Sequence, residues 1–349
     1  MKTRITELFG IKYPILMSGM SWISTPEMVA EVCNAGGLGI LATGPLNQDM
    51  TRAAVRRVRE LTDKPFGANA TLLFPGAMDN AKVLLEEKVP VINFALGKGD
   101  WICEAAHKYG GKVIATVVRD KHALAAEAQG ADAVIATGHE AAAHGEAVTS
   151  LLLVPSLADA LKVPVIAAGG FGDGRGLVAA LALGAEGISM GTRFMTTKES
   201  PLHENFKKLS VQKSVYDTLF SKRFDGIDCR VIDAPGARKQ LKAGLNPVQL
   251  LKAMPNSRFI AKQLHMPYMK LFFGVLFSGW KTARQLAYMA NGFESLSLAT
   301  QEGDIKNGWL TVGQVTGLVK DIPSVRELME RMVAQAEAAS VKVSAQTAK

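Results

Sequence analysis

Eight short apolar runs recur between residues 14 and 192: PILMS from 14, GLGILA from 37, PFGANATL from 65, PVINFA from 90, KVIATVV from 112, DAVIA from 132, PVIAAGG from 164 and GISMGT from 187. Their starts lie 20 to 32 residues apart, the length of one strand, one helix and two loops. Runs that are continuously apolar, rather than alternating, belong to parallel strands covered on both faces. The segments between them carry helical periodicity, as in TPEMVAEVCNAGG over 25–37 and GRGLVAALALGA over 174–185. Eight such units predict an α/β fold, a (β/α)8 TIM barrel.

After the eighth run the rhythm stops. From about Pro201 to about Gly308 the pattern is helical, in ENFKKLSVQKS, NPVQLLKAM, MKLFFGVLF and WKTARQLAYMANG, with no strand alternation. The expected organisation is therefore a barrel built from 1–200 and 309–349, with 201–308 as an inserted α-helical subdomain serving as substrate cover or lid. VGQVTGLVKDI and SVRELMERMVAQAEAA resume amphipathic helix and provide the closing helix, whereas SVKVSAQTAK at the end lacks apolar spacing and is expected to fray.

Composition narrows the function classes. With 48% hydrophobic and 21% charged residues, a chain of 349 can bury a large core. The net charge of +8 is spread along the chain, which suits small anionic ligands and argues against nucleic acid. Cys33, Cys103 and Cys229 are odd in number and lack a CxxC partner, so neither a disulfide framework nor a cysteine zinc site is expected. No signal-peptide pattern opens the chain, and a cytoplasmic location is the expectation. LFFGVLFSGW at 271–280 lies between Lys270 and Lys281 and is about half of the ~20 residues a bilayer span needs. It reads as core helix, lid or surface-docking segment, with no stable membrane insertion; a monomer or homodimer is expected.

In a barrel of this kind the site lies at the carboxyl ends of the strands, and phosphate is commonly held after strands seven and eight. Both places carry suitable residues. Strand seven runs into AAGGFGDGRG, where Gly169 and Gly170 let backbone N–H groups approach an anion and the next helix offers its positive end. Strand eight runs into Gly191, Thr192 and Arg193, a small turn with a hydroxyl donor. Asp173 and Arg175 read as helix-capping and surface groups.

PILMSGMSWISTPEMVAEVCNAGGLGIL, KPFGANATL, GHEAAAHGE and PVIAAGGFGDGRGLVAALALGAEGISMGTRF together resemble the nitronate monooxygenase (2-nitropropane dioxygenase) family, flavin-dependent barrels related to NADH:quinone reductases and to flavin-type enoyl-acyl-carrier-protein reductases. The resemblance covers about residues 5–200 and 303–335. It implies noncovalent FMN, with phosphate on Gly169, Gly170, Gly191 and Thr192 and the ring over Gly19, Met20 and Ser21, beside Asn69 and Thr71. Relatives often carry Lys where Thr116 stands and an acidic residue where Thr137 stands, so fewer charges would face the flavin here. Their Gly-Gly before the active-site histidine is Ala142-Ala143, which predicts a stiffer loop and a slightly smaller pocket.

GHEAAAHGE holds two histidines five residues apart, about 140° around an ideal helix, whereas a shared metal wants i, i+4; no metal is expected. The resemblance makes His144 the catalytic residue, with His139 left to packing or the surface. A neutral imidazole there suits removal of an α-proton or orientation of nitronate oxygens. The implied reaction is oxidation of alkyl nitronates with O2 to carbonyl compounds and nitrite. The alternative is hydride relay from NAD(P)H to a quinone or an enoyl thioester. A purine-nucleotide dehydrogenase barrel needs a nucleophilic cysteine after strand six, and no cysteine lies between Cys103 and Cys229.

Overall fold

The computed structural model describes residues 1–347 apart from 75, 244–252, 254, 259–260, 262–267 and 270–279. Each of the eight apolar runs contains one strand: β1 Ile15–Met17, β2 Leu38–Leu41, β3 Gly67–Thr71, β4 Val91–Ala95, β5 Lys112–Val117, β6 Ala133–Thr137, β7 Val165–Ala168 and β8 Gly187–Met190. They pair in parallel in chain order, and β8 closes on β1 through Ile15–Ile188, Leu16–Ser189 and Met17–Met190. The fold is the predicted TIM barrel.

The continuous apolar runs have a simple cause: alternate residues of every strand face two different cores. Leu16, Leu38, Ile40, Val91, Ile114, Ile135 and Ile166 fill the barrel interior together with Ile5, Phe9 and Ile11. The short helix Arg4–Phe9, opened by a Thr3–Thr6 capping box and ended by left-handed Gly10, thereby plugs the amino-terminal mouth. The other side chains, such as Ile15, Met17, Ile92, Val113, Val134, Val165 and Ile188, pack outward against the surrounding helices. What remains open is the carboxyl end.

Residues 201–308 depart from the all-helical expectation. Alongside the helices Glu204–Gln212, Pro235–Ala243 and Trp280–Ser297 lies an antiparallel hairpin, β9 Thr218–Ser221 and β10 Cys229–Ile232. Each strand has four residues, too few for alternation to register, but Asp225-Gly226 between them is a turn signal. NPVQLLKAM and LFFGVLFSGW fall outside the described residues apart from Ala253 and Trp280.

VGQVTGLVKDI is not an amphipathic helix: it holds one 3-10 segment, Gln314–Leu318. Its backbone is used elsewhere, since Gly313 N donates to Thr192 Oγ1 at 3.0 Å and Gln314 N donates to Glu140 O at 2.9 Å. The closing helix runs Val325–Thr347 and buries Val325, Leu328, Met329, Met332 and Ala336 on one face. The expected frayed tail is helical to Thr347, because 340–347 contain neither Gly nor Pro to stop it, but it lies exposed. Among the described residues no helix is long and apolar enough to cross a membrane.

Candidate active site

The strand ends open into one cavity of about 1190 Å³, walled by the loops after the strands, by the helix Trp280–Ser297 and by residues 309–315. Every site residue read from the sequence lines it: Gly19, Met20 and Ser21 after β1, Asn69 and Thr71 in β3, Thr116 in β5, Thr137 in β6, Ala142 and His144 beyond it, Gly169 and Gly170 after β7, Gly191 and Thr192 after β8.

The loops after β7 and β8 present hydrogen-bond donors to the cavity. Gly169 and Gly170 have φ of 94° and 84°, a left-handed pair that glycine adopts without steric cost. Neither of their N–H groups has a partner among the described residues. Thr192 is buried, and its hydroxyl accepts from Gly313 N at 3.0 Å, which leaves its own proton to donate. The helix Gly174–Ala182 does not offer its positive end as expected. Asp173 Oδ1 accepts from Arg175 N at 3.0 Å and Gly176 N at 3.1 Å, and its charge is matched by Arg175. Asp173 and Arg175 are the capping and surface groups the sequence suggested.

The floor is set by polar ties between loops. A Cβ on Gly19 would sit 2.6 Å from Asn69 Nδ2, so the glycine is required by the asparagine that holds it. Asn69 Nδ2 donates to Gly19 O at 3.2 Å, and its Oδ1 accepts from Thr43 N at 3.0 Å. Only the second amide proton of Asn69 remains for a ligand. Thr116 Oγ1 accepts from Asn93 Nδ2 at 2.9 Å and keeps its proton. Trp22, Leu96 and Ala143 line the same cavity with φ of 59°, 54° and 56°. Left-handed backbone at non-glycine residues costs of order 1–3 kcal/mol each and gathers where structure serves function.

The loop after β6, against which Gly169 and Gly170 pack, carries the titratable groups, and the structure gives each polar residue of GHEAAAHGE a place. Glu140 accepts from Ser150 N at 2.9 Å and anchors the start of the helix Ser150–Ala160. His139 Nδ1 donates to Glu146 O at 2.7 Å, and its Nε2 accepts from Arg230 Nη2 at 2.8 Å. With one nitrogen a donor and the other an acceptor, His139 is a neutral structural imidazole, packed edge-on to Phe220. Glu146 pairs with Arg119.

His144 is different: its Nε2 lies 2.6 Å from Asp225 Oδ2, in the turn between β9 and β10. Burial pulls its pKa down, but the hydrogen bond and charge of Asp225 outweigh burial and hold it above the ordinary histidine value. Cys229 is fully buried beside the same carboxylate. Burial, then the charge and hydrogen bond of Asp225, keep its thiol well above the usual range. A cysteine does reach this loop after all, from the insertion, but as a neutral thiol and not as a nucleophile. A His144 ring nitrogen, an Asp225 oxygen and Cys229 Sγ lie within 4.8 Å of one another, although the short His144–Asp225 bond commits these two residues to each other.

A model of the nitronate monooxygenase family matches residues 2–87 and 78–335. The chain belongs to the nitronate monooxygenase family. As members of that family and FabK are flavoproteins, it is a flavin-dependent oxidoreductase. Over 344 residues, 96% of each chain, it is 36% identical to the (3aS,4S,5R,7aS)-5-hydroxy-7a-methyl-1-oxo-octahydro-1H-indene-4-carboxyl-CoA dehydrogenase of Rhodococcus jostii. It is 32% identical over 280 residues to a probable nitronate monooxygenase of Staphylococcus saprophyticus, covering 67% of this chain and 79% of that one. The structure of FabK from Thermotoga maritima superposes with a TM-score of 0.84 at 37% identity, covering 99% of each chain.

Asp225, Cys229, Asn93, Trp22 and Thr311 line or support the site without having been read from the sequence. Asp225-Gly226 was the available signal for the first two. Nothing in the spacing of the others marks them.

Proposed function

We propose that this family member binds FMN and acts on the Cα–Cβ bond of an acyl thioester, carried by coenzyme A or an acyl carrier protein. The observation that carries this reading is a cavity of about 1190 Å³ that contains a protonatable histidine. Pockets for a single small ligand run to about 300–1,000 Å³, so there is room for a flavin and a bulky apolar acyl group together. The full-length match to a CoA-thioester dehydrogenase supports the same substrate class.

The residues fit the cofactor. Gly169, Gly170 and Thr192 would hold its phosphate, while Gly19, Met20, Ser21, Thr71 and Thr116 would face its ring. Bound flavin supplies hydride transfer to or from the β-carbon. His144 handles the proton. In the reducing direction imidazolium gives it to the α-carbon, and in the oxidising direction the neutral ring removes it. Trp22, packed against Phe293 at a ring distance of 4.5 Å, and the helix Trp280–Ser297 wall the acyl end against water. Steady-state assay of acyl- and enoyl-CoA thioesters of increasing size, against quinones, tests the reading. Turnover confined to quinones with NAD(P)H would refute it.

Oxidation of alkyl nitronates with O2 to carbonyl compounds and nitrite is the second reading, favoured by the family model and the staphylococcal relative. There, an imidazolium at His144 would bind the nitronate oxygens. Nitrite release in aerobic assay distinguishes it.

A further inference from the structure

The geometry points to Asp225 as the positioning residue of the acid/base: delivered from the insertion, it fixes which nitrogen of His144 exchanges the proton. An ionised carboxylate accepts only, so Nε2–H donates to Asp225, and Nδ1 is the atom left to take and give a proton. Among the described residues nothing bonds His144 Nδ1. This deepens the role of His144 proposed above and rests on it.

Contacts on both sides of the turn hold the carboxylate in place. Ala143 and Arg230 exchange backbone hydrogen bonds of 3.1 and 2.9 Å, so β10 is stitched to the residue that precedes His144. The buried Arg230 guanidinium then donates to His139 O at 3.0 Å and to Thr218 Oγ1 at 2.9 Å, which ties both hairpin strands to the same loop. Behind the turn, Phe224 is fully buried against Trp309 at 5.5 Å, and a Cβ on Gly292 would come within 3.3 Å of Asp225 Cβ. The helix Trp280–Ser297 therefore needs a glycine to seat this turn. Asp225 Oδ1 also accepts from Ile227 N at 3.2 Å.

The remaining charged groups around His144 face other partners: Asp228 pairs with Lys222 and Glu146 with Arg119, while Arg230 feels the charge of Glu140 and donates to His139 O. Cys229 is a neutral thiol. Asp225 is accordingly the one carboxylate among the described residues that bonds the His144 ring. The acid/base is complete only when the insertion hairpin is docked on the barrel.

The test uses holoenzyme carrying 15N-labelled histidine, with wild type, Asp225→Asn and Asp225→Glu compared by NMR titration and by the pH profile of kcat. Wild-type His144 should show the Nε2–H tautomer and titrate above ~6.5. Asp225→Asn should lower its titration midpoint by about one pH unit or more, drop kcat roughly tenfold or more, within what a positioned acid/base contributes, and leave KM within about twofold. Asp225→Glu should restore part of both. An unchanged His144 midpoint and tautomer in folded Asp225→Asn overturns the proposal, and so does lost turnover with an unchanged titration. Full turnover in His144→Gln would refute the acid/base reading itself, a result separable from the titration outcome.

Discussion

The two halves of the site are made from different parts of the chain, although Gly169 and Gly170 pack against residues 138–141 of the loop that carries His144. The proposed phosphate cradle belongs to the barrel: Gly169 and Gly170 follow β7, Thr192 follows the neighbouring β8, and the glycine geometry is set by local backbone conformation. The acid/base half is a composite, with His144 on the loop after β6 and its carboxylate 81 residues later on the insertion. Binding can thus be kept by the scaffold, while the proton chemistry depends on how an inserted element docks. Under the proposed function, the cofactor would rest on the barrel's own loops, and the acid/base would be completed only by the hairpin that carries Asp225.

The comparison breaks most visibly at His144. His144→Ala should lower thioester turnover by about a hundredfold or more while the protein stays yellow, because the cradle is untouched. Loss of flavin in that variant, seen in its visible spectrum, would mean that cofactor binding and proton chemistry are not separable. The converse is Gly170→Val, which forces a β-branched residue to φ of 84° at a cost of about 1–2 kcal/mol. FMN affinity, measured by flavin fluorescence titration, should fall about tenfold, with turnover of fully loaded enzyme little changed.

The pH dependence sharpens the same contrast. Because Asp225 holds His144 above its ordinary value, the imidazolium is retained to higher pH than a free histidine would allow. Turnover in the reducing direction should be full at low pH and fall as pH rises through that raised value, whereas FMN binding should not follow the curve. Gly19→Ala would bring Cβ to 2.6 Å from Asn69 and displace the tie between the loops after β1 and β2. A thermal melt should show about 1–3 kcal/mol lost, the usual cost of overpacking. The smallest effect is Ala143→Gly. Relief at φ of 56° should raise stability by at most about 1 kcal/mol, offset by the looser unfolded chain.

What the sequence revealed follows the same division. Strands β1 to β8 announced themselves because parallel strands are apolar on both faces, and the glycines after β7 were visible because left-handed turns demand that residue type. Asp225 was not legible as a partner, since no periodicity links it to His144 and four-residue strands carry too little pattern. Gly19 was read as letting a ring approach the backbone, and the structure adds a second demand on it, since a Cβ there would meet Asn69. The helix end at Gly174 looked available because capping by Asp173 consumes N–H groups that spacing alone leaves free. Ala143 was expected to stiffen its loop, and it does sit in a conformation that glycine would adopt at lower cost.

The central claim is that a flavin held by the barrel loops and His144 act together on a thioester. Anaerobic spectroscopy of the holoenzyme tests it most directly, with saturated acyl-CoA added to the oxidised protein and enoyl-CoA to the chemically reduced protein. The account predicts that one of these additions changes the flavin's visible absorption rapidly, and that His144→Ala slows the change by about a hundredfold. Thioesters that leave the spectrum untouched in both directions, while an alkyl nitronate bleaches it, would contradict the account.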